Sequence, residues 1–418
     1  MSYFDHAPIE VLFLVLNSID QQSDLHQCAL VNKSFYAAAN PLLWREPKKA
    51  GGYERREHSI AFRLAQSFRQ TRKHGLRAIS LGHHIRKLKL LEDNRLRDMH
   101  PVINNAPLVE ELDLGINKLK EFDMERIAKK CPQLKRLVLE SLFKASDHVM
   151  DPLRHCPNLR DLSIRTCFHS KHQLESLKHL RLEKFTFWTF SYEGPPMDVF
   201  FGGIPTLTHL NLDGITAAYF RHYGTLRSPT LFPVLTDLDI SMSYDSGVAD
   251  DSVVSFFKAH PLIRSLTIRC LKIDPAIMTS LATDLVHLKH LSFCGNGHLP
   301  PLTKALPLVE RLTIWRCHMG IEAMIDMATQ LPNIPYLHIS KHNDHRREYY
   351  RYIPGDVIPS DGPIIESLIP QTYLDFASYD SVPADLNVHL PRRTDGTLTT
   401  EDLEHIRETA VGLFWIDE

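Results

Sequence analysis

Apolar residues through the middle of the chain follow one short rhythm: an apolar residue, two variable residues, Leu, one variable residue and a second apolar residue. It recurs eleven times, with first positions at Ile85, Val109, Leu134, Leu159, Leu177, Leu207, Leu235, Ile263, Leu288, Val309 and Ile334. The copies are separated by 24, 25, 25, 18, 30, 28, 28, 25, 21 and 25 residues. The fourth position is Leu in every copy, from Leu88 to Leu337, and the sixth is Leu, Ile or Phe, as at Leu139, Ile164 and Phe293. Such alternation predicts a short strand with one buried face. Between strands the spacing changes to three or four residues. Met124, Ile127 and Ala128 within Asp123 to Lys130, and Ile277, Met278, Leu281 and Leu285 within Asp274 to Leu285, predict amphipathic helices.

One strand and one helix cannot bury their own apolar faces, so the units must stack, with the strands lining an inner wall. A period of about 25 residues is that of leucine-rich repeats. The predicted fold class is α/β: a short all-helical unit over residues 1–46, a helical connector over 47–82, a right-handed leucine-rich-repeat solenoid (a horseshoe) over 83–341, and an irregular segment with a C-terminal cap over 342–418. Cys131-Pro132, Cys156-Pro157 and His260-Pro261 precede their strands, where proline stops a helix and starts extended chain. Two stretches break the rhythm and read as loops: Phe185 to Gly203, dense in aromatics, and Lys341 to Gly362. Beyond Gly362, Thr372 to Phe376 reads as a further strand and Thr399 to Thr409 as a capped helix. Leu413, Phe414 and Trp415 are available to cover the last repeat.

Third, fifth and seventh positions of each copy face away from the buried side. The central copies place Asn211, Asp213, Asp237 and Asp239 there, and later ones Arg269, Arg311 and Trp315, followed by Arg316. An acidic patch thus precedes a basic, aromatic one. Asp213, Asp239, Arg269, Arg311, Trp315 and Arg316 are the candidate contacts to a target protein. Trp315 beside two arginines has the composition of an interface hot spot; the alternative is that the C-terminal segment folds over it.

The N-terminus has different punctuation. Ala7-Pro8-Ile9-Glu10 runs into the apolar stretch Val11 to Leu16, Leu25 to Tyr36 follows after Asp20 to Asp24, and Asn40-Pro41-Leu42-Leu43-Trp44-Arg45 closes the region. This predicts three helices, with Pro8 in the first turn of the first, Asp20 or Ser23 capping the second and Pro41 ending the third. The first helix is apolar on nearly every side, more than some forty residues can bury alone. This order of residues, through Pro8, Glu10, Leu14, Leu16, Asp24, Leu25, Ala29, Val31, Lys33 and Trp44, resembles the F-box, with Ala7 where that family usually has Leu and Phe35 where it usually has Trp. The resemblance implies docking on the Skp adaptor through Pro8, Ile9, Leu14, Leu16, Leu25, Val31 and Trp44, and through it to a cullin and a RING protein. The chain would then be the substrate-recognition subunit of an SCF-type (Skp–cullin–F-box) ubiquitin ligase of the F-box and cysteine-containing leucine-rich-repeat type. The alternatives are a three-helix cap on the first repeat and a ligase-independent interaction scaffold.

Charge and chemistry narrow the partners. Lys and Arg total 48 against 50 Asp and Glu, a balance that favours a protein partner over nucleic acid or a membrane surface. The basic run from Arg45 to Lys89 reads as a solvated connector with Phe62, Ala65 and Phe68 turned inward. Seven cysteines without a C-x-x-C pair, and no basic leader ahead of the short apolar run at Val11, predict a cytoplasmic or nuclear protein. The common hydrolase, nucleotide and zinc-protease signatures do not occur, so no catalytic residue, cofactor or metal is assigned. Cys167 with His169 and His172, and His342 with His345, read as surface or turn residues, and the Asn32-Lys33-Ser34 sequon lies within a predicted helix.

Overall fold

The computed structural model describes residues 7–47, 60–74, 81–90, 96–115, 119–140, 148–166, 176–189, 203–220, 231–242, 248–249, 251–270, 272–294, 306, 308–315, 336–340 and 385–387. The chain divides into two compact units, Met1–Thr189 with Phe200–Ile204, and Phe190–Val199 with Pro205–Glu418.

The first unit opens with helices α1 (Ile9–Leu16), α2 (Gln22–Ala29) and α3 (Lys33–Arg45). Their core is Leu12 and Leu16, Leu25 and Ala29, and Ala38 and Ala39, one i, i+4 or adjacent pair from each helix. Asn32 is the N-cap of α3, its side-chain oxygen accepting the Phe35 N–H at 2.9 Å, so the sequon asparagine is committed to starting a helix. Neither Asp20 nor Ser23 caps α2. Its N-cap is Gln21, without a side-chain bond, and the next residue, Gln22, donates its amide to the carbonyls of Leu43 (3.1 Å) and Glu46 (2.9 Å). That amide satisfies carbonyls at the end of α3 that the helix itself leaves open. Pro41 does not end α3 but lies within it, because Leu42 and Leu43 pack on the three-helix core and hold the final turn in place.

Helix α4 (Ile60–His74) buries Ala61, Leu64, Ala65 and Phe68 and packs against α5 (Leu96–Asn105), placing the connector in the same helical layer as the first repeats. Strands β1 (Lys87–Leu90), β2 (Glu111–Leu114), β3 (Arg136–Leu139), β4 (Asp161–Thr166) and β5 (Lys184–Thr189) are parallel and in register. The motif leucines stack directly, Leu88 on Leu112, then Leu137, then Leu162. Behind them lie α5, α6 (Glu121–Lys130) and short 3-10 turns at Asp151–His155 and Ser176–His179. Helix α6 begins two residues before its expected start and buries Met124, Ile127 and Ala128. Asp123, fully buried, accepts the Lys120 N–H at 3.0 Å and pairs with His100 Nε2 at 2.6 Å.

The fifth copy of the rhythm is displaced from its expected place. Leu177 sits in a 3-10 turn, and the strand that continues the register is β5, where Phe185 pairs with Leu162 and Phe187 with Ile164. Leu182 is therefore the first position of this repeat, and Phe185 and Phe187, expected in a loop, are core residues exposed by 1% each. Two phenylalanines at the Leu positions hid the true phase, while Leu177, Leu180 and Leu182 imitated it. Residues 190–202 of that stretch lie outside the described residues.

The second unit repeats the plan with β6 (His209–Ile215), β7 (Asp237–Met242), β9 (Ser265–Arg269), β11 (His290–Cys294), β12 (Arg311–Trp315) and β13 (Tyr336–Ser340), all parallel. Helices α7 (Asp251–Ala259) and α8 (Pro275–Thr283) bury Phe256, Phe257, Ile277, Met278 and Leu281, and α8 is capped by Asp274, whose carboxylate accepts the Ala276 N–H at 2.8 Å. A small parallel pair, β8 (Val248–Ala249) and β10 (Lys272–Ile273), precedes these helices. Strand β14 (Asp385–Asn387) lies antiparallel on β13, pairing an edge that would otherwise present open backbone groups. The expected strand at Thr372 to Phe376, the capped helix and the stretch from Lys341 to Gly362 fall outside the described residues.

A further buried position, three residues before the first position of nine copies, escaped the motif; in the displaced fifth copy its counterpart, His179, is exposed. In the first unit it is Gly82, Ala106, Cys131, Cys156 and Ile204, and in the second Phe232, His260, Leu285 and Leu306. At eight of these nine positions the carbonyl accepts the N–H of the first motif residue, for example Leu134 N–H to Cys131 O at 3.1 Å. Gly82 has no room for a side chain, since a Cβ there would lie 1.8 Å from the Asn105 carbonyl oxygen. Burial pushes the Cys131 thiol up to about 12 and that of Cys156 up to about 11, so both are packing groups.

Candidate functional site

Two surfaces carry candidate contact residues outside the buried core. The first is on the N-terminal helices. Helix α1 buries only Leu12 and Leu16, and leaves Ile9, Val11, Phe13, Leu14 and Val15 exposed. Beyond the end of α2, Leu30 and Val31 are 67% and 63% exposed, and Tyr36 on α3 is exposed as well. A run of aliphatic side chains this large is an interface composition, since water gains nothing from contact with it.

The sequence-predicted contacts divide by position in the helix. Pro8, Ile9, Leu14 and Val31 are exposed, and Trp44 is half-buried near the end of α3. Leu16 and Leu25 are corrected to core residues, 1% and 6% exposed, because the inward stripe of a short helix is the one its neighbours cover first. Val11, Phe13, Val15, Leu30 and Tyr36 were not singled out, although the all-round apolarity of α1 pointed to the first three.

Helix α3 also closes the first repeat. The Arg86 N–H donates to the Arg45 carbonyl at 2.9 Å, and the same geometry then recurs down the unit. The carbonyls of Arg86, Glu110, Lys135 and Arg160 each accept two N–H groups from the following repeat. An open cavity of about 250 Å³ at this junction is lined by Leu16, Ile19, Asp20, Leu42, Glu46 and Lys87 among others.

The second surface is the outward side of the strands. In the first unit it is largely self-neutralised: Lys87 pairs with Glu111 at 2.7 Å, Arg136 with Asp161 at 3.4 Å, and Lys135 with Glu110 at 2.7 Å. These exposed pairs contribute about 0–1 kcal/mol each. On β4 and β5 the Arg165 guanidinium lies 3.9 Å above the Trp188 ring, a cation–π contact that the sequence reading, with Trp188 placed in a loop, did not reveal.

In the second unit the structure joins two residues assigned to separate patches. Arg269 on β9 is ion-paired with Asp239 on β7, and Asn211 Nδ2 donates to the same carboxylate oxygen at 3.4 Å. The side chain of Asp239 is 26% exposed, yet its Oδ1 atom is buried and, among the described residues, has no hydrogen-bond partner; Asn211 Oδ1 shares that condition. Burial pushes the Asp239 carboxyl up to about 6 against the pull of Arg269, and the nearby Asp213 adds to the rise. Arg311 is exposed on β12. Trp315 ends that strand, its side chain and Arg316 lying outside the described residues, as do Cys167, His169, His172, His342 and His345. Among the described residues no three His, Cys, Asp or Glu side chains could hold a metal ion, and no helix is long and apolar enough to cross a membrane.

The model of the F-box-like family matches residues 4–49, the segment that contains α1 to α3. No curated protein matches the chain in sequence. Among solved structures, the yeast Rad7 and Elc1 complex is similar over 79% of this chain and 92% of that one, at 14% identity and a TM-score of 0.36. The TLR13–ssRNA13 complex is similar over 62% of this chain and 40% of that one, at 15% identity and a TM-score of 0.41. The mouse RP105/MD-1 complex is similar over 60% of this chain and 51% of that one, at 15% identity and a TM-score of 0.35. The chain carries an F-box-like domain followed by leucine-rich repeats.

Proposed function

We propose that this chain is the substrate-recognition subunit of an SCF-type ubiquitin ligase, the F-box docking on the Skp adaptor and the repeat strands holding a target protein. The observation that carries this reading is the exposed apolar face of α1 with Leu30 and Val31, set on a domain that matches the F-box-like model and whose own core is already complete. No residue of the chain acts catalytically in this scheme. The adaptor leads to a cullin and a RING protein, a separate conjugating enzyme supplies the chemistry, and the chain contributes proximity, in the cytoplasm, the nucleus or both. The hydrogen bond from Arg86 to the Arg45 carbonyl supports this division of labour, since it ties the docking helices to the first repeat.

The same hydrogen bond favours a second reading, in which α1 to α3 only cap the array and the protein is a ligase-independent scaffold. Co-purification of the full chain with the Skp adaptor and cullin separates the two. Capture of both by the wild type, and of neither by a Leu14→Asp, Leu30→Asp variant with unchanged circular dichroism, is the expected result. Equal failure of both proteins leaves the scaffold.

A further inference from the structure

Beyond α3, five large apolar side chains are exposed among the described residues, and four of them recur at one place in consecutive repeats. Val234, Leu262 and Leu308 each stand two residues after a buried turn residue (Phe232, His260 and Leu306), and Val286 stands one residue after Leu285. All four are between 41% and 55% exposed. Their turns lead into β7, β9, β11 and β12, which are parallel and in register, so the side chains line up as a ridge along the N-terminal edge of the sheet. With neighbouring strands about 4.8 Å apart, the ridge is about 15 Å long. The same turn position of earlier repeats holds His84, Leu108, Gln133, Asn158 and Thr206, so the turn itself does not require an exposed aliphatic residue.

Charge does not select what covers the ridge, since Lys258, Arg264 and Lys289 beside it are balanced by Asp237, Asp284 and Glu310. Apolar area and reach do. Four half-exposed aliphatic side chains fall well short of the roughly 800 Å² per partner that a complex of two folded proteins covers. A segment of the same chain meets no such threshold, because a short tether gives it an effective concentration of the order of millimolar.

Strand β14 points at this edge. It is antiparallel to β13, with Asp385 beside Ser340 and Asn387 beside His338, so it runs towards the N-terminal ends of the parallel strands. Leu308, the near end of the ridge, lies two strands across from Asn387 and five residues along, a distance of about 20 Å. Residues 388–398, fully extended, span about 36 Å. The residues that follow carry a matching pattern: Leu403, Ile406, Ala410 and Leu413 recur at three, four and three residues, the spacing of one helix face about 15 Å long. Glu401, Glu404 and Glu408 fall on the opposite side of that spacing, where water would solvate them.

We propose that residues 399–413 of this chain cover the ridge, their apolar face lying along Val234, Leu262, Val286 and Leu308. The segment that the sequence offers as a cover for the last repeat is thereby given a seat along the side of four repeats. This does not depend on what α1 to α3 dock.

Amide hydrogen exchange of the full chain, read by mass spectrometry on peptides from residues 399–418, is the test. In the wild type these amides are expected to exchange about tenfold or more slowly than in a synthetic peptide of the same residues. Leu262→Glu and Leu308→Glu are each expected to remove most of that protection while exchange in β9 and β11 stays as in the wild type. Val286→Glu, within the ridge, supplies a third variant if either of these disturbs the strands. A wild-type segment that exchanges as fast as the free peptide would overturn the proposal. So would protection indifferent to every folded ridge variant, the result expected of a cover on the last repeat alone. Sedimentation at rising concentration reads the rival occupant: a wild type that dimerises, beside ridge variants that stay monomeric, assigns the ridge to a second copy and likewise overturns it.

Discussion

Leu14 and Leu16 are two residues apart on α1 and should respond to the same substitution in opposite ways. Leu14 is 72% exposed and Leu16 is 1% exposed. Full burial of a leucine is worth about 1.5–3 kcal/mol, so covering the exposed part of Leu14 at an adaptor interface corresponds to about 1–2 kcal/mol. Leu14→Ala is therefore expected to weaken adaptor binding by roughly 5–30-fold, and to change folding stability by no more than about 0.5 kcal/mol. Leu16→Ala removes a side chain from the sealed core shared with Leu12, Leu25 and Ala38, and is expected to cost about 2–5 kcal/mol of folding free energy. Isothermal titration against the purified Skp adaptor measures the first quantity, and urea unfolding followed by far-ultraviolet circular dichroism the second. An adaptor affinity indifferent to Leu14→Ala, or an unfolding midpoint that drops as far for Leu14→Ala as for Leu16→Ala, would refute the division of α1 into an inner stripe and a docking face.

Two further expectations concern the repeat core. His260 is fully buried, donates from Nδ1 to the Phe256 carbonyl at 2.8 Å and is held by burial at about 4, below its ordinary 6.5. Its contribution to stability is complete above pH 6.5 and is lost as the pH falls towards 4, by up to about 3 kcal/mol. Asp239, raised to about 6, works in the opposite sense because its folded form takes up a proton more readily than the unfolded chain. The comparison of wild type with His260→Leu, which installs the residue found at the equivalent positions Leu285 and Leu306, isolates the imidazole. The variant should lose less stability between pH 7 and pH 4.5 in urea titrations, and equal losses would contradict the assignment. Gly82→Ala forces a Cβ against the Asn105 carbonyl, so the backbone of the first repeat must shift, at a cost of about 1–3 kcal/mol. A lowered unfolding midpoint, with faster proteolysis near Arg45, is the expected readout.

Much of the repeat core could be read from spacing alone. Ten of the eleven strands fall on their predicted leucines, because a motif that alternates buried and outward residues reports its own burial wherever it occurs. Helices α6 and α8 were legible for the same reason, their apolar residues recurring at three and four. The fifth strand was displaced because Phe185 and Phe187 meet the same packing need as leucine without matching its letter. At the N-terminus the excess of apolar residues on α1 announced a partner, and the order of residues resembled the F-box. That resemblance assigned Leu14, Leu16 and Leu25 to the partner, and of these only Leu14 is left exposed.

Pairing across repeats was decided only by the tertiary structure. Asp239 and Arg269 are 30 residues apart in sequence, and Arg165 and Trp188 belong to successive repeats, so the length and register of the intervening loops determine whether they meet. The burial of Leu16 and Leu25, the passage of α3 through Pro41 and the closure of the first repeat on the Arg45 carbonyl are likewise outcomes of packing among elements. The sequence by itself determined the repeating unit and its inward face, since those follow from local periodicity and the cost of exposing apolar surface. Which outward groups neutralise one another, and which remain for a partner, depends on distances between chain segments that no local pattern encodes.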